Sequence, residues 1–495
     1  MMSISNVSAG AAASGYYKEE GYYKAGSEEG QKAATWFGKA AEENGLTGFV
    51  DDKQFAQFLD GEAPDGKLMG RYVDGERQHR PGLDLTFSAS KSASVAALVI
   101  GDNRIIEAHD AAVRSAMTVV EERFIKTRFQ QDGEITTKNA EGIIAGIYRH
   151  DTSRALDPNL HSHAVIANMA KNENDGFTAI RNEAVFNNRK LITEIYRSDF
   201  ENRMKEHGIA TERGKYGEVN ISGIPREVTE TFSKRRQEIL NALDNKGVEY
   251  SADTASKATL ATRAAKHKNL DREALRADWR TDALAAGLSR DQLERGTIEN
   301  APIAPTAPTP IPRSVQEAEQ TPQTDPKEAS LVAGIVSWMK NLVASPQQQQ
   351  PKAQTTPDTI EGRAVSKAIE HVSERHSVYE RSTLTAAALR FSSGTNLEKL
   401  DKEIDRRIEA GDLYANGKNG EHLTDRASVA VEKAVLQTWK DSEQTPGLDL
   451  NSRHAKSGIP DLSATLAKEN TLTAGQLAAL ETSLSGQGRY VGVQG

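Results

Sequence analysis

Hydrophobic and polar positions follow different periods in different stretches of this chain, and those periods predict its elements. "DLTFS" (84–88) and "EGIIAGIYRHD" (141–151) have strand character, the second apolar enough to be a buried strand. A short turn, "DPN", then leads into a further strand, "LHSHAVIANM" (160–169), so the two strands are expected to be antiparallel neighbours. "KSASVAALVI" (91–100) reads as helix, and "RNEAVFNNRKLITEIYRSDFENRMKEHG" (181–208) as one long amphipathic helix ended by Gly208. "IATERGKYGEVNISG" (209–223) predicts a hairpin around Lys215-Tyr216-Gly217, and 225–297 is largely helical with a basic run, "SKATLATRAAKHKNLDR".

Periodicity then stops. Residues 301–330 and 345–359 are rich in Pro, Gln and Thr and read as extended linker. Between them "LVAGIVSWMKNLVA" (331–344) is an amphipathic stretch around Trp338, either a transient helix or a docking element. From 361 onward, two helices in "GRAVSKAIEHVSERHSVYERSTLTAAALRF", a third in "TNLEKLDKEIDRRIEAGDL" and a hairpin turning at Asn416–Gly420 read as a winged-helix-like module or a small helical spacer. The expected division is 1–300, a linker 301–360, and 361–495.

Composition narrows the chemistry. A net charge of −8 over 495 residues gives no global sign of nucleic-acid binding, so a basic surface must be local. With no cysteine there is no disulfide and no thiolate nucleophile, and a transition-metal site must use His and carboxylates. The N-terminus lacks the basic and apolar regions of a signal peptide, and 331–344 is too short to span a bilayer. The expectation is a soluble, cytoplasmic protein.

Two groups of residues carry candidate chemistry. His161 and His163 lie at i and i+2, so on a strand both leave the same face. His150 ends the preceding strand and supplies a third nitrogen, a set that suits a catalytic divalent metal with open positions. Two solvent-facing histidines would give the same HxH pattern. Arg149 and Arg154 flank His150 and could neutralise a phosphate, or pair with Asp151 and Asp157 on the surface. Asp84 could orient a histidine through its second ring N–H, and a turn carboxylate would look the same.

The second group is "GYYKEEGYYK" (15–24), four phenols that fit neither a core strand nor a core helix. They are either a stacking platform or nucleophiles. A phenol with a pKa of about 10 is roughly 0.1 % ionised at neutral pH, so attack needs nearby positive charge and a polarised phosphoryl group. Tyrosine attack on a DNA phosphodiester conserves the bond energy as a phosphotyrosine ester, which fits a reversible transesterase better than a hydrolase.

Together the tyrosine pairs, "RPGLDLTFSASKSAS" and "HDTSR…LHSHAVIAN" resemble the MobF class of conjugative relaxases. These are HUH single-strand endonucleases that open plasmid relaxase–helicases of the TraI/TrwC type. The resemblance covers about residues 1–300, with several motifs in order. It implies an α+β fold: a palm with a central antiparallel sheet flanked by helices, and a helical C-terminal lobe that closes over single-stranded DNA. The activity implied is nicking of one strand at a plasmid origin of transfer, leaving a 5′-phosphotyrosine link and a free 3′-OH.

The same resemblance makes His150, His161 and His163 ligands of a divalent metal ion, Mg or Mn, with Asp84 supporting His150. Tyr16 would make the initial nick and Tyr22 a second cleavage, with Tyr17 and Tyr23 accessory or stacking residues and Arg154 a phosphate contact. The implied partners are single-stranded oriT DNA with an adjacent hairpin, a type IV secretion coupling protein and relaxosome accessory DNA-binding proteins. The protein would not insert in a membrane, and would travel with the DNA from the bacterial cytoplasm to the recipient cell.

Rival readings are a rolling-circle initiator or transposase of the same superfamily, a non-catalytic single-strand binder with the tyrosines as stacking platform, and a metal-dependent esterase. The tandem pairs argue against the first, and the lack of a carboxylate-rich second metal site against the last. "LTAGQLAALETSLSGQGRYVGVQG" runs from helix into the strand "YVGVQ" and stops at Gly495, where a helicase would begin its phosphate-binding loop. The lysine and hydroxyl residue of that loop are absent, so this chain is expected to be truncated there and not to hydrolyse ATP.

Overall fold

The structure is a computed structural model describing residues 2–8, 34–131, 134–174, 176–245, 247–248, 254, 258, 271–298, 359–417 and 420–443. The four tyrosines of the N-terminal pairs, the stretch 331–344 with its flanking linker, and "YVGVQ" lie outside the described residues. The chain divides into two compact units, Met1–Ala364 with Leu389–Leu397, and Val365–Ala388 with Glu398–Gly495.

The first unit opens with strands β1 (Met2–Val7) and β2 (Ala34–Phe37), helices α1 (Lys39–Glu43) and α2 (Asp52–Asp60), and a ribbon of β3 (Arg71–Val73) and β4 (Glu76–Gln78). Strand β5 (Gly82–Ser88) leads to α3 (Lys91–Val95), which continues through a π-helical turn, and then to α4 (Asn103–Val119). A hairpin of β6 (Lys126–Gln131) and β7 (Glu134–Asn139) precedes the two long strands β8 (Gly142–Thr152) and β9 (Pro158–Lys171). After β10 (Phe177–Thr178) and β11 (Ile180–Arg181) come α5 (Glu183–Asn187) and α6 (Arg189–Glu206). The hairpin β12 (Thr211–Arg213) and β13 (Val219–Ile221) is followed by α7 (Arg226–Thr231), α8 (Lys234–Asp244), α9 (Arg272–Ala285) and α10 (Arg290–Arg295).

Five strands form the central sheet in the order β1-β5-β9-β8-β2, every pair antiparallel, with β10 added on β9. The expected α+β architecture and the β8–β9 pairing are both present. One expected element differs. The long helix of 181–208 is interrupted at Asn188, whose side-chain amide donates to the Ala184 carbonyl at 2.9 Å. Asparagine offers the backbone this local alternative to helix, which splits α5 from α6. Gly208, at φ 69°, terminates α6 in the left-handed conformation that glycine adopts without strain.

The two faces of the sheet bury different helices. On one, Val165, Ala167 and Met169 of β9 and Tyr148 of β8 join a cluster with Trp36 and with Phe55, Phe58 and Leu59 of α2. Trp36 meets Phe55 and Phe58 edge-on, with ring centroids 5.6 and 6.0 Å apart. On the other lies α4, whose buried residues Ile105, Ala108, His109, Ala112, Val113, Ala116 and Met117 recur every three or four positions as one stripe. Phe87 of β5 packs on Tyr196 of α6 on this same side, centroids 5.5 Å apart.

Most of α11 (Ile360–Ser373), α12 (Arg381–Phe391) and α13 (Leu397–Glu409) falls in the second unit, with a small sheet ordered β14 (Tyr379–Glu380), β16 (His422–Asp425) and β15 (Leu413–Asn416). Helix α14 (Arg426–Glu443) follows. The three helices and the β15–β16 hairpin are the elements expected from the sequence. The two-residue β14 carries too little periodicity to read from sequence. Asp425 caps α14, accepting from Ser428 N at 2.9 Å and Oγ at 2.7 Å, and accepts from Ser373 Oγ of α11 at 2.7 Å.

Within the stripe of α4, His109 is fully buried yet polar. Its Nδ1 lies 2.8 Å from Tyr196 Oη and its Nε2 2.9 Å from Ser162 Oγ, so both ring nitrogens are hydrogen-bonded. Burial, assisted by the Arg149 charge, pushes its pKa down to about 3. The folded value lies below the unfolded one of about 6.5. Above that pH the contribution to stability is complete. As pH falls from 6.5 towards 3, the unfolded chain takes up a proton that the folded chain refuses, and stability declines by up to about 1.4 kcal/mol per pH unit. Denaturant unfolding at pH 7 and pH 5 should therefore show a smaller loss on acidification in His109→Gln than in the unsubstituted protein.

Candidate metal centre and a further pocket

The site is set by register. His150 is paired directly with His161 across β8–β9, and Tyr148 with His163. Cross-strand partners share a face, and so do residues two apart. The three histidines therefore lie on the Tyr148 and Val165 side of the sheet, further along the strands than the apolar cluster. Their rings form a triangle with centroids 5.1, 5.2 and 5.3 Å apart, and one ring nitrogen of each lies within 4.8 Å of the others. His150 is buried, while His161 and His163 are half-buried.

Two of the rings are oriented by acceptors behind them. His163 Nδ1 lies 2.9 and 3.1 Å from the Asp84 carboxylate oxygens, and 3.1 Å from Thr86 Oγ1. His161 Nδ1 lies 2.8 Å from the Asn159 carbonyl oxygen. A carboxylate and a carbonyl only accept, so both rings are assigned as Nδ1–H donors, which leaves each Nε2 lone pair for a cation. The donor set fits a divalent metal: three neutral imidazoles on one face, two already fixed in the ligating tautomer.

Two expectations need correcting. The carboxylate–histidine pair that Asp84 forms is with His163, because β5 pairs Thr86 with His163 and Asp84 stands one step along the same face. Arg149 does not flank the metal centre. One residue from His150 on a strand, it leaves the opposite face, where its guanidinium pairs with Asp110 of α4. Asp151 takes Arg272 of α9 as its partner at 2.9 Å, rather than Arg149. Arg154 sits half-buried in the β8–β9 turn.

Around that turn positive charge gathers. Lys91, at the start of α3, donates to the Pro158 carbonyl at 2.8 Å, and burial pushes its pKa down to about 8 against the pull of Asp157. Asp157, 1 % exposed, accepts from the Lys234 backbone N–H at 3.0 Å, which anchors the N-terminus of α8 and its Lys234-Arg235-Arg236 run.

A pocket of about 210 Å³ opens at the end of β5, beginning at Ser88, the residue paired with His161, and its α6 lining lies on the α4 side of the sheet. Tyr196, Arg197 and Phe200 of α6 line it, with Tyr216 from the β12–β13 hairpin and Arg236 from α8. A buried ion network holds the hairpin there. Arg197 bonds Glu194 at 2.6 Å and the Tyr216 carbonyl at 2.9 Å, while Arg213 bonds Glu201 at 2.7 Å, Glu194 at 3.2 Å and the Gly217 carbonyl at 2.9 Å. Tyr216 is left 57 % exposed at the rim. Sequence reading found the hairpin and missed its role. The Glu194/Arg197/Glu201 spacing on α6 was the available signal, since those residues share one helix face.

Comparison with known proteins bears on this geometry. The family model of the TrwC relaxase matches residues 9–286. The chain is 36 % identical over 330 residues to the multifunctional conjugation protein TraI of Escherichia coli, and 34 % identical over 330 residues to that of Escherichia coli strain K12. Each match takes in 65 % of this chain and 18 % of the relative, so the chain spans under a fifth of the length of these relatives. Among solved structures, conjugative relaxase TrwC in complex with oriT DNA, metal-bound, superposes with a TM-score of 0.54 at 34 % identity, over 58 % of this chain and 99 % of that one. TrwC complexed with a 27-mer DNA comprising the recognition hairpin and the cleavage site matches with a TM-score of 0.52 at 32 % identity, over 58 % and 99 % of the two chains.

Calorimetric titration with Mn²⁺ checks the centre. His161→Ala is expected to lose measurable binding. Asp84→Ala, which keeps all three imidazoles but frees the His163 tautomer, should weaken it by roughly 10–100-fold. Wild-type affinity in both variants would dismiss the site.

Proposed function

The chain belongs to the TrwC relaxase family, and we propose that it is a conjugative DNA relaxase, a metal-dependent transesterase that nicks one strand of single-stranded oriT DNA. The observation that carries the site assignment is the convergence of His150, His161 and His163 on one sheet face, with the Asp84 carboxylate behind His163.

In this reading the three imidazoles hold a divalent cation, Mg or Mn, which when bound polarises a non-bridging phosphoryl oxygen and offsets its growing charge. Tyr16 attacks the scissile phosphorus. A bond forms from its phenolic oxygen to phosphorus as the phosphorus–O3′ bond breaks, the phenol gives up its proton, and the departing oxygen takes one to become the free 3′-OH. The product is a 5′-phosphotyrosine ester of the same kind of bond energy, so the step reverses. Tyr22 performs a second cleavage, and Tyr17 and Tyr23 stack on bases. Arg154 contacts phosphate near the β8–β9 turn, within the local positive surface of Lys91, Lys234 and Arg236.

The pocket beside Ser88 accepts an unpaired base. Its volume, the exposed Tyr216 ring at its rim and the Arg197 and Arg236 cations suit a flat polar heterocycle. The β3–β4 ribbon pairs with no other strand among the described residues and carries Arg71 and a 71 % exposed Tyr72. A two-stranded ribbon fits the major groove, which suits it to the duplex of an origin hairpin. The 1–300 region is the relaxase part, 301–360 a linker, and 361–495 an accessory module at the start of a helicase region, met by a secretion coupling protein and accessory DNA-binding proteins. No helix of the described residues is long and apolar enough to cross a membrane, in keeping with cytoplasmic nicking and transfer with the DNA.

Incubation with 3′-labelled single-stranded origin DNA and Mg²⁺, followed by a denaturing gel, tests the reading, because only a transesterase carries label on protein. Tyr16→Phe, which keeps the ring for stacking, should reduce the adduct of the initial nick at least 100-fold, while Tyr22→Phe forms it within about twofold of wild type. Full adduct from Tyr16→Phe would overturn the assignment.

A further inference from the structure

The residues between the candidate ligands are tied as firmly as the ligands themselves, and to one helix. Ser162 lies between His161 and His163 and leaves the opposite face of β9, fully buried, where its Oγ meets His109 Nε2 at 2.9 Å. Arg149 precedes His150 on β8 and likewise leaves the back of the sheet, where it pairs with Asp110. His109 and Asp110 are consecutive residues of α4, a helix of 17 residues. Arg149 and Ser162 are themselves cross-strand partners, one step from the His150–His161 pair. The two strands that present imidazoles on the front are thus each held from behind, at the neighbouring position, by adjacent side chains of one rigid element.

We propose that His109 and Asp110 form a clamp behind the sheet that sets the spacing of the three imidazoles, with His109 a positioning residue for the metal centre. The inference rests on the metal-binding reading of His150, His161 and His163. The His109 ring has no freedom to turn without releasing a partner. Its far nitrogen is engaged by Tyr196 of α6 at 2.8 Å, and the two rings meet edge-on at 85° with centroids 5.6 Å apart. Burial keeps it neutral over the working pH range, so its link to Ser162 does not titrate. A strand freed at residue 162 can roll about its axis, and rolling moves His161 and His163 together relative to His150. A bulky apolar residue at 109 would fill the same core while lacking the tether.

The test uses the full chain and Co²⁺ alone, whose visible d–d absorption reports ligand geometry. Ser162→Ala is expected to bind Co²⁺ about tenfold more weakly, with an altered band envelope. Ser162→Thr, which retains the hydroxyl, should restore both affinity and spectrum. His109→Leu should reproduce the loss from the helix side. A role confined to core stability would lower the unfolding midpoint and leave the Co²⁺ affinity and spectrum of the folded variants unchanged, and that result overturns the proposal. If Ser162→Ala does not fold, His109→Gln carries the same two readouts with the same expected and overturning results. Failure of the unsubstituted protein to bind Co²⁺ would instead remove the metal centre, and this inference with it.

Discussion

Successive side chains on a β-strand leave opposite faces, and in β8 and β9 that alternation carries two unrelated jobs on one backbone. The antiparallel register sets His150 against His161, so three imidazoles share a face. The residues between them, Arg149 and Ser162, are thereby committed to the other face, where α4 receives them. Along the front the same face changes character. It is apolar under α2, where Val165, Ala167 and Met169 pack against Phe55 and Phe58, and turns to imidazole nitrogens at His163. The apolar end resists a shift of register, because a slip of one residue would expose that cluster and bury the histidines. The core thus stabilises the geometry of the site.

Charge follows a similar economy of place. The chain is acidic overall, at −8, yet cations collect where β8 turns into β9 and where α8 begins. Several are held by buried partners: Lys91 by the Pro158 carbonyl, Arg272 by Asp151, and the start of α8 by Asp157. The ion network of Glu194, Arg197, Glu201 and Arg213 is mostly buried and costly to desolvate. Its geometric consequence is to fasten the β12–β13 hairpin over α6, which places Tyr216 at the rim of the pocket beside Ser88. Membership of the TrwC relaxase family rests on residues 9–286, the region that contains all of these features.

The pattern of residues was enough for the parts whose cause is local. The β8–β9 hairpin could be read because two apolar runs flank a turn, and the HxH pair could be placed on one face because strand period is two. The β12–β13 and β15–β16 hairpins follow from turn residues between short strand-like runs in the same way. The break at Asn188 was also a local effect, but it is weak beside the helical period around it, and the period dominated the reading.

What the sequence could not supply were the partners set by distance in space. β1 and β2 were unread because each is short and pairs with strands far along the chain, β5 and β8, so no local periodicity marks them. The assignment of Asp84 to His163 depends on the register of β5 against β9, and that register is fixed only when the whole sheet assembles. Arg149 illustrates both sides. Alternation alone already excludes it from the face of His150, whereas its pairing with Asp110 required α4 to pack behind the sheet. Nothing local in the sequence marks His109, and only tertiary packing brings it against Ser162 and Tyr196. The composition and spacing of the chain determined which residues could act together on one element; the docking of α4, α6 and β5 on the β8–β9 hairpin decided which ones meet, because contacts between distant segments depend on the packing of complementary surfaces rather than on spacing along the chain.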